Sequence, residues 1–254
     1  MVTSGRYAVL FHLALALATM LAYAIFRPPR PERVKDLRGP IGALGAWAYW
    51  ATRWVLRAAL ALRLTPDALT AIGVALSIGA GVLAVLGAHG WACVALIWGS
   101  AADLLDGEVA RRTGTSSRAG AFLDSNLDRV SEVGFLAGIA VALHPSAAGM
   151  VCAVAAMATS FMVSYARARG EGLGVSCPSF GLERPHRLLA FMIAMCAATF
   201  VSPANAARVL TWVSGAVALG AGLTALARVF TIHQLLRRGE PTRDLQGTPP
   251  GAMP

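Results

Sequence analysis

Asp103, Asp106, Asp124 and Asp128 are the residues whose type and spacing point to chemistry, in the stretch DLLDGEVARRTGTSSRAGAFLDSNLD. The first two stand three residues apart and the last two stand four apart, so on helices each pair shares one face. Two such faces brought together offer hard oxygen ligands suited to Mg²⁺ or Mn²⁺. The rest of the chain sharpens this reading. It is 56% hydrophobic and 14% charged with a mean hydropathy of +0.60, whereas a soluble domain carries about 25% charged residues. In a chain built for lipid, carboxylates are costly unless they bind metal, pair with cations or move protons.

Small and basic residues are interleaved with the acids. Gly107 and Ala110 follow the first pair, and Gly120 precedes Asp124 by one helical turn. Such residues let a second helix or a ligand approach the backbone closely. Arg111 and Arg112 supply cations able to hold phosphate oxygens.

The spacing D-x2-D-G-x2-A-R-x8-G-x3-D-x3-D resembles the signature of the CDP-alcohol phosphatidyltransferase family at every fixed position. The resemblance covers residues 65 to about 236. It implies transfer of a phosphatidyl group from CDP-diacylglycerol to an alcohol, with release of CMP. It also implies two divalent ions, Mg²⁺ or Mn²⁺, on Asp103, Asp106, Asp124 and Asp128, with Asp128 as the base for the acceptor hydroxyl. Asp67, Thr70, Gly107, Ala110, Arg111, Ser117 and Gly120 fall on positions that contact the nucleotide lipid; Ser117 stands where threonine is usual. Glu108 and Glu132 receive no role. A homodimer in a bacterial inner membrane, with the site facing the cytoplasm, is the accompanying expectation.

The acceptor side rests on a second cluster. S-Y-x-[KR]-A-R begins at Ser164, and E-R-P-x-R follows nineteen residues later at Glu183. Together they resemble the bacterial phosphatidylinositol phosphate synthase branch of the family. Ser164, Arg167, Arg169, Arg187 and Arg228 take that branch's acceptor-phosphate positions, which implies a phosphorylated polyol, inositol phosphate foremost. Arg167 replaces the lysine of many members. Glycerol 3-phosphate is the alternative acceptor. An ion or metal transporter is the alternative of another class, but it would place its charges near the bilayer midplane within repeated, interrupted helices. Here the aspartates lie toward one face and no repeat is visible.

These residues need helices to position them. Residues 8–26 form an apolar run long enough to span a bilayer, and longer than a signal-peptide core of about 7–15 residues. Basic residues from Arg27 to Arg38 follow, which keep that end in the cytoplasm and the N-terminus outside. Residues 41–64 mix tryptophans with Arg53, Arg57 and Arg63, as an amphipathic interfacial helix does. Thr65-Pro66-Asp67 reads as a helix start. Apolar segments at 66–87, 91–112, 119–143, 147–169, 186–202 and 205–236 give six core transmembrane helices. The hairpins near 88–90, 144–147 and 201–205 lack lysine, arginine and acid, while the opposite connections are rich in arginine.

The expected fold is therefore an all-α integral membrane bundle with an extra N-terminal helix. Residues 1–40 make an anchor and basic linker, 41–238 the membrane domain, and 239–254 a disordered cytoplasmic tail. Of the 22 basic residues only Lys35 is lysine, and they flank apolar spans without forming a soluble basic face, which argues against a nucleic-acid partner. Cys93, Cys152, Cys177 and Cys196 and the five histidines show no ligand spacing.

Overall fold

The computed structural model describes residues 1–29, 39–175 and 180–238. The basic linker, Cys177 and the expected disordered tail lie wholly or largely outside them. Every regular element among the described residues is a helix: α1 (Val2–Phe26), α2 (Gly39–Ala61), α3 (Pro66–Val85), α4 (His89–Thr113), α5 (Arg118–Ala142), α6 (Ala147–Gly172), α7 (Arg184–Phe200) and α8 (Pro203–Arg238).

Local chemistry sets the boundaries that matter for the site. Thr65 caps α3 by accepting from the Ala68 N–H at 3.2 Å, and Pro66 occupies the first turn, where a missing N–H costs nothing. Gly114 ends α4 in the left-handed conformation, φ 69°, which a glycine adopts without a Cβ clash. Three residues later Ser117 accepts from the Gly120 N–H at 3.0 Å and starts α5. A tight connection thus returns the chain beside the end of α4, bringing the second pair of aspartates back toward the first.

α3 packs extensively on both α4 and α5, whereas α4 and α5 make little direct helix contact. The two aspartate-bearing helices are held by a common third helix. Glycines permit this closeness: a Cβ on Gly81 of α3 would stand 3.0 Å from the Gly134 carbonyl oxygen of α5, and one on Gly138 would collide with the Gly81 backbone. α6 and α8 form the other main pair, with α7 against α4 and α8. The shared core includes Leu96, Phe135, Ile139, Phe191, Met195 and Leu210, with Phe135 and Phe191 edge to face at 5.3 Å.

Outward surfaces are apolar. Leu17, Ile72, Val82, Trp212, Leu219 and Leu223 are all exposed, an arrangement stable in lipid and not in water. α1, α3, α6 and α8 are long and apolar enough to cross a membrane, so the protein is a multi-pass membrane protein. α4 and α5 fall short of that composition because each carries the charges of the site at one end, and α7 because it has 17 residues. The extra helix α1 is more than a tether. Gly5 packs on Gly90, Arg6 Nε donates to the Thr199 carbonyl at 3.0 Å, and Trp98 Nε1 meets His12 Nε2 at 3.1 Å.

Gly138→Val should force α3 and α5 apart and lower stability by about 1–3 kcal/mol. Thermal unfolding in detergent checks this; an unchanged Tm would mean the α3–α5 contact is not needed.

Candidate active site

Asp103 and Asp106 lie near the end of α4, and Asp124 and Asp128 near the start of α5. One carboxylate oxygen from each of Asp103, Asp106 and Asp124 lies within 4.8 Å of the others. Asp106 is the most buried of the three and the most fixed: Thr70 Oγ1 donates to its Oδ2 at 2.6 Å, and the Gly107 N–H donates to its Oδ1. Three hard oxygen donors converging from two helices fit a divalent cation of the Mg²⁺ or Mn²⁺ type.

Asp128 is held differently. Its Oδ1 lies 2.7 Å from Arg184 Nη1, and the same nitrogen donates to Asp103 Oδ2 at 3.0 Å. Arg184 Nη2 donates to Ser131 Oγ at 3.2 Å. One guanidinium therefore ties both aspartate helices to the start of α7. Sequence reasoning gave Arg184 no place in the site, although it stands one helical turn before Arg187 and shares its face.

Arg187 and Arg228, two of the arginines expected to converge on an acceptor, are engaged within the protein. Arg187 is 1% exposed and makes a two-pronged pair with Glu132 at 2.7 and 2.8 Å, while its Nη1 donates to the Leu182 carbonyl. Glu132 is no bystander: it is the counter-charge that lets Arg187 be buried. Arg228 donates to Glu183 Oε1 at 2.7 Å and to the carbonyls of Val163 and Phe180. The ERPHR segment thus sends Glu183 to α8, Arg184 to α4 and α5, and Arg187 to α5. Arg167, paired with Glu171 at 2.9 Å, and Arg169 are exposed near the end of α6, and Ser164 is half-buried one turn before.

The remaining expected residues lie around the end of α4 and the starts of α3 and α5. Arg111 is exposed and paired with Glu108 at 2.9 Å, so Glu108 also has a part, setting the direction of Arg111 and Arg112. Ser117 and Gly120 form the cap of α5, Asp67 is exposed in the first turn of α3, and Ala110 is half-buried. Thr70 Oγ1 donates to Asp106 Oδ2 and to the Pro66 carbonyl, which orients that carboxylate. A cavity of about 1010 Å³ opens between α2 and α4, walled by Leu56, Leu104 and Leu105 and rimmed by Arg53, Arg111 and Arg112.

Comparison with known proteins places this architecture. Residues 63–230 match the family model for CDP-alcohol phosphatidyltransferase. The chain belongs to that family, and it is an enzyme of that class. Phosphatidylinositol phosphate synthase of Mycolicibacterium smegmatis is 32% identical over 205 residues, covering 78% of this chain and 91% of that protein. A crystal structure of Mycobacterium tuberculosis phosphatidylinositol phosphate synthase with CDP-DAG bound matches with a TM-score of 0.64 and 26% identity, over 71% of this chain and 92% of that one. The same enzyme in complex with manganese and citrate also matches at 0.64, with 25% identity over 79% and 90% of the two chains. Relatives of this kind give no support to a transporter.

Arg187→Ala leaves Glu132 charged and alone in the interior, which should cost about 3–5 kcal/mol. Exchanging both together, Arg187→Met with Glu132→Leu, should recover most of it. Thermal unfolding in detergent compares the two; a stable Arg187→Ala protein would show that the pair does not hold α5 to α7.

Proposed function

We propose that the enzyme transfers the phosphatidyl group of CDP-diacylglycerol to a phosphorylated alcohol, inositol phosphate, and releases CMP. The observation that carries this reading is the convergence of Asp103, Asp106 and Asp124 in a chain similar over most of its length to phosphatidylinositol phosphate synthases. A manganese complex is known for one such synthase, and CDP-DAG is bound in another crystal of it. Asp103, Asp106, Asp124 and Asp128 would hold two Mg²⁺ or Mn²⁺ ions. When bound, these supply charge neutralisation at the diphosphate and at the leaving oxygen.

The protein's own residues do the rest. Thr70 and the Gly107 N–H fix Asp106 so that its oxygens need not reorganise during the reaction. Arg111, directed by Glu108, and the small Gly107, Ala110 and Gly120 receive the CDP moiety, with Asp67 and Ser117 beside them. The apolar-walled cavity between α2 and α4 gives the donor's lipid part a way in. Asp128 accepts the proton of the acceptor hydroxyl as its oxygen bonds to the phosphatidyl phosphorus. The phosphorus–oxygen bond to CMP breaks, and its electron pair leaves with CMP.

Ser164, Arg167, Arg169, Arg187 and Arg228 form the acceptor side. The exposed Arg167 and Arg169 meet the acceptor phosphate, and the buried Arg187 and Arg228 position the wall behind it. Residues 41–238 constitute the membrane domain and residues 1–40 its anchor and linker. The helices α3 to α8 all cross a bacterial cell membrane, the site faces the cytoplasm, and two copies associate as a homodimer. Support for this orientation comes from the hairpins between α3 and α4, α5 and α6, and α7 and α8, which carry no lysine, arginine or acid.

Purified enzyme with CDP-diacylglycerol should release CMP with inositol phosphate far faster than with free inositol or glycerol 3-phosphate. EDTA should abolish the reaction, and preference for another acceptor would replace inositol phosphate in this reading. Asp128→Asn should lose roughly 10²–10⁴-fold in turnover while still binding the donor; near-normal turnover would remove Asp128 as the base. A cysteine placed at Gly114 should react with an impermeant maleimide only after cells are broken, and labelling of intact cells would reverse the orientation.

A further inference from the structure

Arg184 Nη1 stands where two carboxylates from different helices point at one atom, 3.0 Å from Asp103 Oδ2 and 2.7 Å from Asp128 Oδ1. The other aspartates gather without it: Asp103, Asp106 and Asp124 present mutually close oxygens, and Asp128 is not among them. Asp103 therefore serves two sites at once. It lies beside Asp106 and Asp124, and it is paired with the guanidinium that also holds Asp128. A cation held by both Asp103 and Asp128 would compete with Nη1 for these carboxylates.

Beyond the two carboxylates, Arg184 has one further hydrogen-bond partner among the described residues. Nη2 reaches the Ser131 hydroxyl at 3.2 Å, a long neutral contact, and Nε is buried without a hydrogen-bond partner among the described residues. Arg187, one turn along, is fully paired and grips α5 through Glu132, so α7 keeps its place whether or not Arg184 holds the aspartates. The two arginines have separable roles.

We infer that Arg184 is a positioning residue, a built-in counter-cation that keeps Asp103 and Asp128 in register before metal loading and competes with a second divalent ion for them. The inference rests on the metal-dependent reading above. Its consequence is unequal binding: an ion on Asp103, Asp106 and Asp124 meets the guanidinium at one carboxylate, whereas an ion on Asp103 and Asp128 must displace it from both.

Mn²⁺ titration followed by electron paramagnetic resonance tests this on the full chain in detergent, without any turnover. Wild type should bind a tighter and a weaker Mn²⁺. Arg184→Gln removes the competitor, so the weaker ion should bind roughly tenfold or more tightly, the equivalent of losing one charge-assisted hydrogen bond. The tighter ion should be little changed, and Arg184→Lys should fall between. A companion thermal scan separates this from a packing role. Arg184→Gln should melt below wild type in EDTA and close that gap in saturating Mn²⁺. An unchanged weaker site, or a deficit that persists in Mn²⁺, would overturn the inference while leaving the metal site intact. Absence of any Mn²⁺ binding to wild type would remove the metal-dependent reading itself, and this inference with it.

Discussion

Negative charge gathered at the end of an apolar helix bundle must be met by cations, because neither lipid nor protein interior solvates it. This constraint organises the polar part of the molecule. Asp103 and Asp128 meet Arg184, Glu132 meets Arg187, and Glu183 meets Arg228. Each pair joins different helices, so the balance of charge is also the cross-bracing of the site. The start of α7 is the hub from which all three run.

The same constraint separates two kinds of arginine. Arg187 and Arg228, nearly without exposure, are bound to acids and carbonyls and behave as interior struts. Arg111, Arg112, Arg167 and Arg169 stand at exposed helix ends, where a phosphate can reach them. Arg184 is intermediate: its side chain is 19% exposed, and one of its nitrogens is shared by two aspartates.

Helix α3 supplies the other half of the design. It packs on both aspartate helices, carries Thr70 to the carboxylate of Asp106, and lets α5 approach through the Gly81–Gly138 seam. α4 and α5 are left with little contact of their own, so the space between them can face the carboxylates. The aspartate cluster is thus shaped by a helix that contributes no member to it.

What the sequence determined by itself was everything carried by period, composition and local signals. Apolar length gave most of α1 and the bundle helices to within a few residues, and Thr65-Pro66 marked a helix start because caps are local chemistry. The spacing of Asp103 with Asp106, and of Asp124 with Asp128, was enough to place each pair on one helix face. Only the tertiary structure decided which charge meets which. Residues 55 apart, such as Arg187 and Glu132, pair through the packing of α5 near α7, and no local spacing encodes that. Arg184 looked like any arginine at a basic helix end, and Glu132 like an idle acid, because charge pairing depends on which faces the folded helices turn toward each other. For the same reason the docking of α1 on α4 and α7, through Gly5 and Arg6, was invisible in an apolar run whose length alone said it could cross the membrane.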